Sequence, residues 1–313
     1  MSEDAPQETR LLVISDIHLR PTGEQFSAED LPVEEVDAIL SLGDVIDDNR
    51  DHTKSVSDGE RYEELGREFF SVLDQTDIPV FAIPGNHDPS DCTRRLIDEC
   101  QHVQMLHRET KTVDPNGSSV PVRLAGWGCD QFDFTPALLA PEYPHLDVQG
   151  ANQLPPDEIA DLVLEVGGQY LTGTSSAEEV AESLGISHDQ DSQKRLQQSL
   201  DRLEHRFEEI VDSASSGPGP LLLASHITPF NVPFDCRGLT SRTGSYHFGS
   251  PALRLASMEL GPTCVLSGHT HQRGTTVIET GSGYTYAHNP GAPGQSVVTV
   301  RSDDVQFCGG TIS

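Results

Sequence analysis

The sequence predicts an α/β fold, in which helices pack in layers on β-sheets. Three observations support this prediction: short apolar runs recur along the chain, each run stops at a polar cluster, and segments with helical periodicity lie between several of the runs. The runs with the clearest polar ends are 10–15, 37–43, 79–85, 220–225 and 263–268. Their length and their Gly, Pro and Asp boundaries are typical of buried strands, although the pattern alone also fits a buried helix.

The remaining elements are predicted from local patterns. The segments with helical periodicity are 58–75, 89–100 and 250–259. The additional short segments predicted as strands are 103–106, 109–113 and 120–125, and the turn sequence DPNG joins the last two. The C-terminal segment 275–309 has the pattern of strands separated by Gly-rich turns.

The region 141–219 has a different pattern and is predicted to be a helical insertion in a single domain that spans residues 1–313. Residues 155–166 open with prolines and acids, as helix starts do. Apolar residues in 194–213 recur at spacings of three and four, which places them on one face of an amphipathic helix: Leu196, Leu200, Leu203, Phe207 and Ile210.

One segment of this insertion, 177–187, faintly resembles the first half of a helix-turn-helix. Residues 155–213 carry 14 acidic and 4 basic residues, however, and this balance opposes binding to DNA phosphates. We therefore favour an insertion that packs on the rest of the domain, where it could serve as a lid, a subunit contact or a surface extension.

The chain is strongly acidic, with 50 acidic residues against 20 basic ones and a formal net charge of −30. Its three lysines are Lys54, Lys111 and Lys194. Such a surface repels itself and hydrates strongly, which suits concentrated salt, and the bias is similar to that of cytoplasmic proteins from halophilic archaea. It also argues against a broad nucleic-acid surface, which needs a basic patch.

A cytoplasmic protein is expected from three further features. The N-terminal sequence is acidic and polar, unlike a signal peptide. The sequence also contains no run of 18 apolar residues, the length that crossing a membrane requires. The six cysteines are scattered without a Cys-x-x-Cys pair, which favours reduced thiols over a disulfide framework or a zinc site.

Polar residues with metal-binding side chains follow the five apolar runs. They are Asp16, His18, Asp44, Asn86, His226, His269 and His271. Ligands gather beyond the carboxyl ends of strands in layered α/β folds, so these side chains are expected to share one site.

Each of these residues alone also fits an ordinary structural role. Asp16 could cap a turn, and Asp44 and Asp47 could be solvated loop acids. Asn86 could occupy a left-handed turn position, and His226 could be a buried histidine with satisfied hydrogen bonds. Their occurrence together at five successive strand ends favours a shared metal site.

The ligand types indicate which ions would bind. Carboxylate and amide oxygens with imidazoles, and no thiolate, suit Mn²⁺, Fe²⁺ or Zn²⁺. Seven ligands are too many for one ion, and a bridging carboxylate would hold two ions about 3.5–4 Å apart for an in-line displacement at phosphorus. Gly43, Gly85 and Gly268 precede three of the ligands, and we expect them to turn the chain through positive φ.

The ordered motifs D-x-H, GD-xx-D, GNHD, a single His and GHTH, between residues 16 and 271, strongly resemble the calcineurin-like metallophosphoesterase superfamily. Asn289-Pro290-Gly291 before a final strand pair fits the same family. The sequences AGWG, HITPF and YHFGSPALR look like the branch related to class III cyclic-nucleotide phosphodiesterases. The resemblance implies a four-layer α-β-β-α sandwich with a dinuclear site on loops at one edge.

The resemblance also implies roles for the metal ligands. One ion would be held by Asp16, His18, Asp44 and His271. The other would be held by Asp44, Asn86, His226 and His269, with Asp44 bridging the two. Two divalent ions are expected, Mn²⁺ first and Fe²⁺ or Zn²⁺ as alternatives.

Further residues are implied in catalysis and substrate binding. His87 would protonate the leaving group, oriented by an acid such as Asp47 or Asp88. Asn86 and His247 are the candidate substrate contacts. The alternative for the loop that contains His247 is a helix-capping turn, with Ser250 as N-cap before Pro251.

The predicted function is metal-dependent hydrolysis of a small-molecule phosphate ester, either a diester or a monoester, by a metal-bridging hydroxide. The alternatives are a non-catalytic metal-binding scaffold of the same fold and a nuclease. The complete ligand set and the presence of His87 favour the enzyme, and the acidic charge disfavours the nuclease.

Overall fold

The computed structural model describes residues 7–20, 26–29, 31–46, 56–88, 90–115, 120–128, 156–214, 216–235, 247–281, 283–302 and 304–311. The strands in these ranges are β1 (Thr9–Ser15), β2 (Ala38–Ser41), β3 (Val80–Ala82), β4 (Val103–Met105), β5 (Glu109–Val113), β6 (Val122–Trp127), β7 (Leu221–Ser225), β8 (Cys264–Leu266), β9 (Gly274–Thr280), β10 (Gly283–Asn289), β11 (Gly294–Val300) and β12 (Val305–Thr311). The α-helices are α1 (Val56–Asp74), α2 (Ser90–Ile97), α3 (Pro156–Leu171), α4 (Ala177–Ser183), α5 (Gln190–Ser213) and α6 (Pro251–Leu260).

The strands form two mixed sheets. The first has the order β12-β11-β1-β2-β3-β4, in which β1 to β4 are parallel and β11 and β12 are antiparallel additions at one edge. The second has the order β5-β6-β7-β8-β10-β9, with a parallel centre from β6 to β10 and antiparallel strands at both edges. Within each sheet the parallel strands therefore end at a common edge.

Three hydrophobic cores separate four layers, which confirms the predicted α-β-β-α sandwich. The core between the sheets contains Leu11, Val13, Leu40, Phe81, Leu124, Leu222 and Leu266. The core between the first sheet and α1 and α2 contains Leu12, Ile14, Ile39, Phe69, Leu73 and Leu96. A third core lies between the second sheet and α3 to α6. The central parallel strands are covered on both faces, which explains why they are continuous apolar runs in the sequence.

The region predicted as a helical insertion contributes α3, α4 and α5 to the fourth layer. Its residues 141–155 lie outside the described ranges, and its being an insertion in a single domain stays a prediction. Val163 of α3, Val180 of α4 and Leu200 of α5 are buried in one cluster with Trp127 and Leu223 of the second sheet. The predicted amphipathic face of α5 is confirmed, since Leu196, Leu200, Leu203 and Ile210 are buried and Phe207 packs at the margin of the cluster. These helices cover the outer face of the second sheet together with α6.

The predicted strand ends need one correction. The runs 37–43 and 79–85 are longer than β2 and β3, because the chain leaves the sheet at Leu42 and at Ile83 and continues as a loop. Both loops carry predicted ligands. The N-cap prediction is confirmed: Ser250 Oγ accepts a hydrogen bond from the Leu253 amide at 3.2 Å, and Pro251 opens α6.

The C-terminal prediction is confirmed as two antiparallel hairpins, β9–β10 and β11–β12. The predicted hairpin of 109–113 and 120–125 is present as β5–β6, with Val113 opposite Val122. None of the helices in the described ranges combines the length and the apolar character that crossing a membrane requires.

Candidate metal centre

All seven predicted ligands lie on loops at the carboxyl ends of parallel strands. Their loops follow β1, β2 and β3 of the first sheet and β7 and β8 of the second. The seven residues are Asp16, His18, Asp44, Asn86, His226, His269 and His271. A hydrogen bond from the imidazole of His226 to the carbonyl oxygen of Leu42 joins the loops of the two sheets, at 2.8 Å.

Five of these residues have an unusual backbone conformation. Asp16, His18, Asp44, His269 and His271 have φ values of 55°, 52°, 51°, 68° and 62°. This left-handed region is uncommon for residues other than glycine and costs about 1–2 kcal/mol per residue. Strain of this kind is characteristic of functional loops that the surrounding structure holds in place.

The glycines before the ligands have two different roles. Gly43 has a φ of +92°, as predicted. The same prediction is wrong for Gly85 and Gly268, which do not have positive φ. A Cβ atom at Gly85 would overlap the Asp44 backbone and carboxylate, and a Cβ at Gly268 would overlap the side chains of Ser15 and Asp16. These two glycines are needed because loops from different strands approach closely.

One group of predicted ligands is partly exposed, and we call it the exposed donor set: Asp16, His18 and His271. The Nε2 atoms of His18 and His271 are 2.9 Å apart, and Nε2 of His271 lies 3.4 Å from Asp16 Oδ1. The His18 and His271 side chains are 17% and 37% exposed. The set therefore faces solvent at the sheet edge.

A second group is buried, and we call it the buried donor set: Asn86, His226 and His269. The amide oxygen Oδ1 of Asn86 lies 2.9 Å from Nε2 of His226 and 2.8 Å from Nδ1 of His269. All three residues are buried. The set therefore lies beneath the exposed one, with its polar atoms directed at each other.

Asp44 lies between the two donor sets. Its Oδ2 atom is 3.4 Å from Nε2 of His226 and 3.8 Å from Nε2 of His18. Its other oxygen, Oδ1, accepts a hydrogen bond from the His87 amide at 2.8 Å. One carboxylate oxygen is thus close to a nitrogen of each set.

The orientation of His226 fits a metal ligand. Its Nδ1 atom can only donate to the Leu42 carbonyl, so in the neutral ring the lone pair of Nε2 points at Asn86 Oδ1 and Asp44 Oδ2. A lone pair that faces two oxygens is repelled by them unless a proton or a metal cation lies between. A second-sphere bond to the other ring nitrogen is the usual way to orient a ligating histidine.

The charges of the centre also favour a cation between these donors. Burial raises the pKa of the Asp44 carboxyl, but His226 and the other nearby histidines outweigh it and keep that pKa well below its usual range. Burial lowers the pKa of His226, but the carboxylates of Asp44 and Asp16 outweigh it and raise that pKa to about 9. The residues present thus fit a divalent cation, which these donors would bind in place of a proton.

His87 lies beside the donor sets. Its Nε2 atom is 3.9 Å from Asp44 Oδ2, and its ring centre is 5.2 Å from that of His18. One atom each of His18, Asp44 and His87 lie within 4.8 Å of one another, so distance alone also admits His87 as a ligand. Its exclusion from the ligand set stays a prediction.

The two acids proposed to orient His87 differ in what the structure describes. Asp88 is buried, and its carboxylate accepts hydrogen bonds from the amides of Gly85, Val45 and Ile46 at 3.1–3.3 Å. Burial and the charge of Asp44 raise its pKa to about 7, against the effect of those amides. Asp88 therefore ties the loop after β3 to the loop after β2, and Asp47 lies outside the described residues.

A comparison of the sequence with known families identifies the chain. The sequence profile described as calcineurin-like phosphoesterase matches residues 9–273, a range that includes all seven predicted ligands. This chain belongs to the calcineurin-like phosphoesterase family. The resemblance inferred from the motifs is thereby confirmed at the level of the family, and the phosphodiesterase branch stays a prediction.

Three solved structures are among those to which this chain is similar. One crystal structure is 13% identical with a TM-score of 0.52, and the match covers 98% of this chain and 100% of that chain. Two others are TT1561 of Thermus thermophilus (13%, TM-score 0.45, 96% and 98% covered) and the phosphopantetheinyl hydrolase of Mycobacterium tuberculosis (16%, TM-score 0.43, 92% and 92% covered). At 13% identity the first likeness shows the fold alone. No curated protein matches the sequence significantly.

His247 of this calcineurin-like phosphoesterase is buried against an acid that sequence reasoning missed. Its Nδ1 atom lies 2.8 and 3.0 Å from the two carboxylate oxygens of Asp235, and its ring packs on Phe230 at 5.0 Å. Asp235 is itself held by the amide of Asn231 at 2.6 Å. The contact with substrate proposed for His247 stays a prediction.

Sequence reasoning also missed residues that support the ligand loops. Asn289, Thr228 and Thr270 form a buried hydrogen-bond network around the carbonyl oxygen of Gly268. Asn289 was visible in the sequence within an Asn-Pro-Gly motif, but its partners lie on loops that only the folded sheet brings near it.

Proposed function

We propose that this calcineurin-like phosphoesterase hydrolyses a small-molecule phosphate ester with two divalent metal ions bound at the edge of its sheets. Membership of the family supports hydrolysis of phosphate esters in general. The observation that carries the dinuclear proposal is the position of Asp44 Oδ2, which is 3.4 Å from a nitrogen of the buried donor set and 3.8 Å from a nitrogen of the exposed one.

Each donor set would hold one ion. Asp16, His18 and His271 would bind the first, and Asn86, His226 and His269 the second, with Asp44 shared. When bound, the two ions would supply an activated water and neutralise charge on the phosphate oxygens. Carboxylate, amide and imidazole donors suit Mn²⁺, which is our first expectation, and also Fe²⁺ and Zn²⁺.

His87 would act on the leaving group. Its side chain is 24% exposed at the rim of the centre, and Nε2 lies 3.9 Å from the carboxylate of Asp44. An imidazolium in this position can donate its Nε2 proton to an alkoxide as the ester bond breaks, and general-acid catalysis of this kind contributes about 10²–10⁴ in rate. Asp47 and Asp88 are the proposed acids for orienting it.

Asn86 and His247 are the proposed substrate contacts. The formal charge of −30 supports a small-molecule substrate over a nucleic acid, because binding a polyanion requires a basic surface. The same charge supports a cytoplasmic protein adapted to high salt.

The proposed function is tested with a panel of substrates. Metal-free protein is reloaded with Mn²⁺, Fe²⁺ or Zn²⁺ in molar KCl and assayed with nitrophenyl phosphate, bis-nitrophenyl phosphate, cyclic nucleotides and single-stranded oligonucleotides. We expect a small ester to be hydrolysed with metal and not after chelation.

Two other results would replace the proposal. Bound metal without hydrolysis of any substrate would favour the non-catalytic scaffold. Cleavage restricted to the oligonucleotides would favour the nuclease.

A further inference from the structure

Asn289, the last residue of β10, reaches the loop that carries two of the proposed ligands. Its Nδ2 group donates a hydrogen bond to the carbonyl oxygen of Gly268 at 2.7 Å and to Oγ1 of Thr270 at 3.1 Å. Thr270 lies between His269 and His271 in the segment 267–271, which we call the histidine loop. Asn289 is fully buried, so both bonds are shielded from water.

The amide of Asn289 is fixed in one orientation. Its Oδ1 atom accepts a hydrogen bond from the Gly291 amide at 2.8 Å, which leaves the NH₂ group directed at the histidine loop. A carboxylate at this position could accept the bond from Gly291 but could not donate to the loop. The chemistry of the contact therefore requires asparagine.

The network extends to the loop that carries His226, another of the proposed histidine ligands. Oγ1 of Thr228, two residues after His226, donates to the Gly268 carbonyl at 2.8 Å. Oγ1 of Thr270 donates to the carbonyl of Phe234 at 2.7 Å. Asn289 and the two threonines thus connect three segments around one carbonyl oxygen.

The histidine loop needs such support because its backbone is strained. His269 and His271 have φ values of 68° and 62°, and residues other than glycine hold this conformation only where neighbouring contacts impose it. The two imidazoles belong to different donor sets, so a relaxed loop would change both sets at once.

We propose that Asn289 is a positioning residue for the metal centre, which holds the histidine loop so that His269 and His271 each reach a different ion. This inference rests on the proposed function, since it presumes that the two donor sets bind metal. Asn289 acts through the loop and contacts neither ion.

The test separates metal affinity from fold stability. Asn289→Ala removes both bonds to the histidine loop, and Asn289→Asp removes the donor while keeping an oxygen for Gly291. Thr285→Val is the matched control, because Thr285 is also buried in β10 and its Oγ1 donates to the Pro262 carbonyl, before the start of β8. The measurements are the melting temperature and the dissociation constants for Mn²⁺ by competition with a fluorescent chelator.

Both Asn289 variants are expected to bind the two ions about 10–100-fold more weakly, as is typical of residues that orient metal ligands. Thr285→Val is expected to lower the melting temperature with the dissociation constants unchanged. Folded Asn289 variants with wild-type constants would overturn the inference.

A milder variant covers the case in which neither Asn289 variant folds. Thr270→Val removes one of the two acceptors for Asn289 in the histidine loop, Oγ1 of Thr270, and keeps the Gly268 carbonyl, so a smaller weakening of Mn²⁺ binding is expected. Unchanged constants in this variant would also overturn the inference. Wild-type protein that binds no Mn²⁺ in the same titration would instead overturn the proposed function.

Discussion

The backbone amide of His269 donates a hydrogen bond to both carboxylate oxygens of Asp16, at 3.1 Å each, although 253 residues separate the two in the chain. Asp16 belongs to the exposed donor set and His269 to the buried one. A single carboxylate therefore links the loop after β1 to the loop after β8. The two proposed ions should respond together when this link is broken.

Two substitutions of Asp16 test the link. Asp16→Asn keeps an oxygen for the His269 amide and loses only the charge, so we expect weaker binding of the exposed ion alone. Asp16→Ala removes the hydrogen bond as well, and both ions should bind more weakly. Titration of each metal-free variant with Mn²⁺ measures the two dissociation constants. Identical constants in the two variants would show that the contact does not couple the donor sets.

The role of His87 is tested by the leaving group. A nitrophenolate needs little protonation, whereas an alkoxide needs a proton as the bond breaks. We expect His87→Ala to keep two ions and much of its activity on an aryl ester, and to lose about 10²–10⁴ in rate on an alkyl ester of the same phosphate.

The controls for His87→Ala are its metal content and the ratio of its rate losses on the aryl and the alkyl ester. Equal losses on both esters would mean that His87 stabilises transition-state charge or positions the substrate. Loss of an ion would place His87 among the ligands.

How much the sequence could predict depends on how local each signal is. The central strands, and the position of the seven proposed ligands on loops at their carboxyl ends, were predicted because each apolar run and the polar residues behind it are adjacent in the chain. Within 141–219, α3 was predicted from its Pro- and acid-rich start and α5 from its own periodicity, and both signals are local in the same way.

Features that depend on strand order could not be predicted. Asn289 reaches the histidine loop because β10 lies beside β8, although β9 comes between them in the sequence. Gly85 and Gly268 are required by side chains on loops that follow other strands, namely Asp44 after β2 and Asp16 after β1. Both features depend on distances between segments that are remote in the chain.

His288 gives a prediction for the pH dependence of stability. It is buried in β10, where its ring nitrogens contact hydroxyls of Thr275 and Ser296 at 2.7 and 2.9 Å and its ring stacks on Phe307. Burial, followed by the charge of Arg273, lowers its pKa to about 4. The unfolded chain, with an ordinary histidine pKa of about 6.5, therefore takes up this proton first as the pH falls.

Neutral His288 stabilises the folded state in full above about pH 6.5, and this stabilisation is lost as the pH falls towards about 4. The loss is about 1.4 kcal/mol in the free energy of unfolding per pH unit. His288→Asn should flatten this slope in urea unfolding between pH 6.5 and 4.5. The exposed His205 supplies the control variant His205→Asn. Equal slopes in the wild type and His288→Asn would contradict the assignment.

The charge of the chain predicts a dependence on salt. With a formal net charge of −30, self-repulsion should weaken the fold when screening is removed. We expect the melting temperature and the activity to rise as the KCl concentration is raised from tenths molar to molar. A neutral osmolyte at equal osmolality should not produce this rise. A melting temperature that is independent of KCl would rule out adaptation to high salt.

The central claim is a dinuclear centre bridged by Asp44, and anomalous diffraction from crystals grown with Mn²⁺ tests it most directly. Two peaks are expected about 3.5–4 Å apart, one among Asp16, His18 and His271 and the other among Asn86, His226 and His269, with Asp44 between them. Crystals of Asp44→Ala should lose occupancy at both peaks. A single fully occupied peak in active wild-type protein, or two peaks that persist undiminished without Asp44, would contradict the claim.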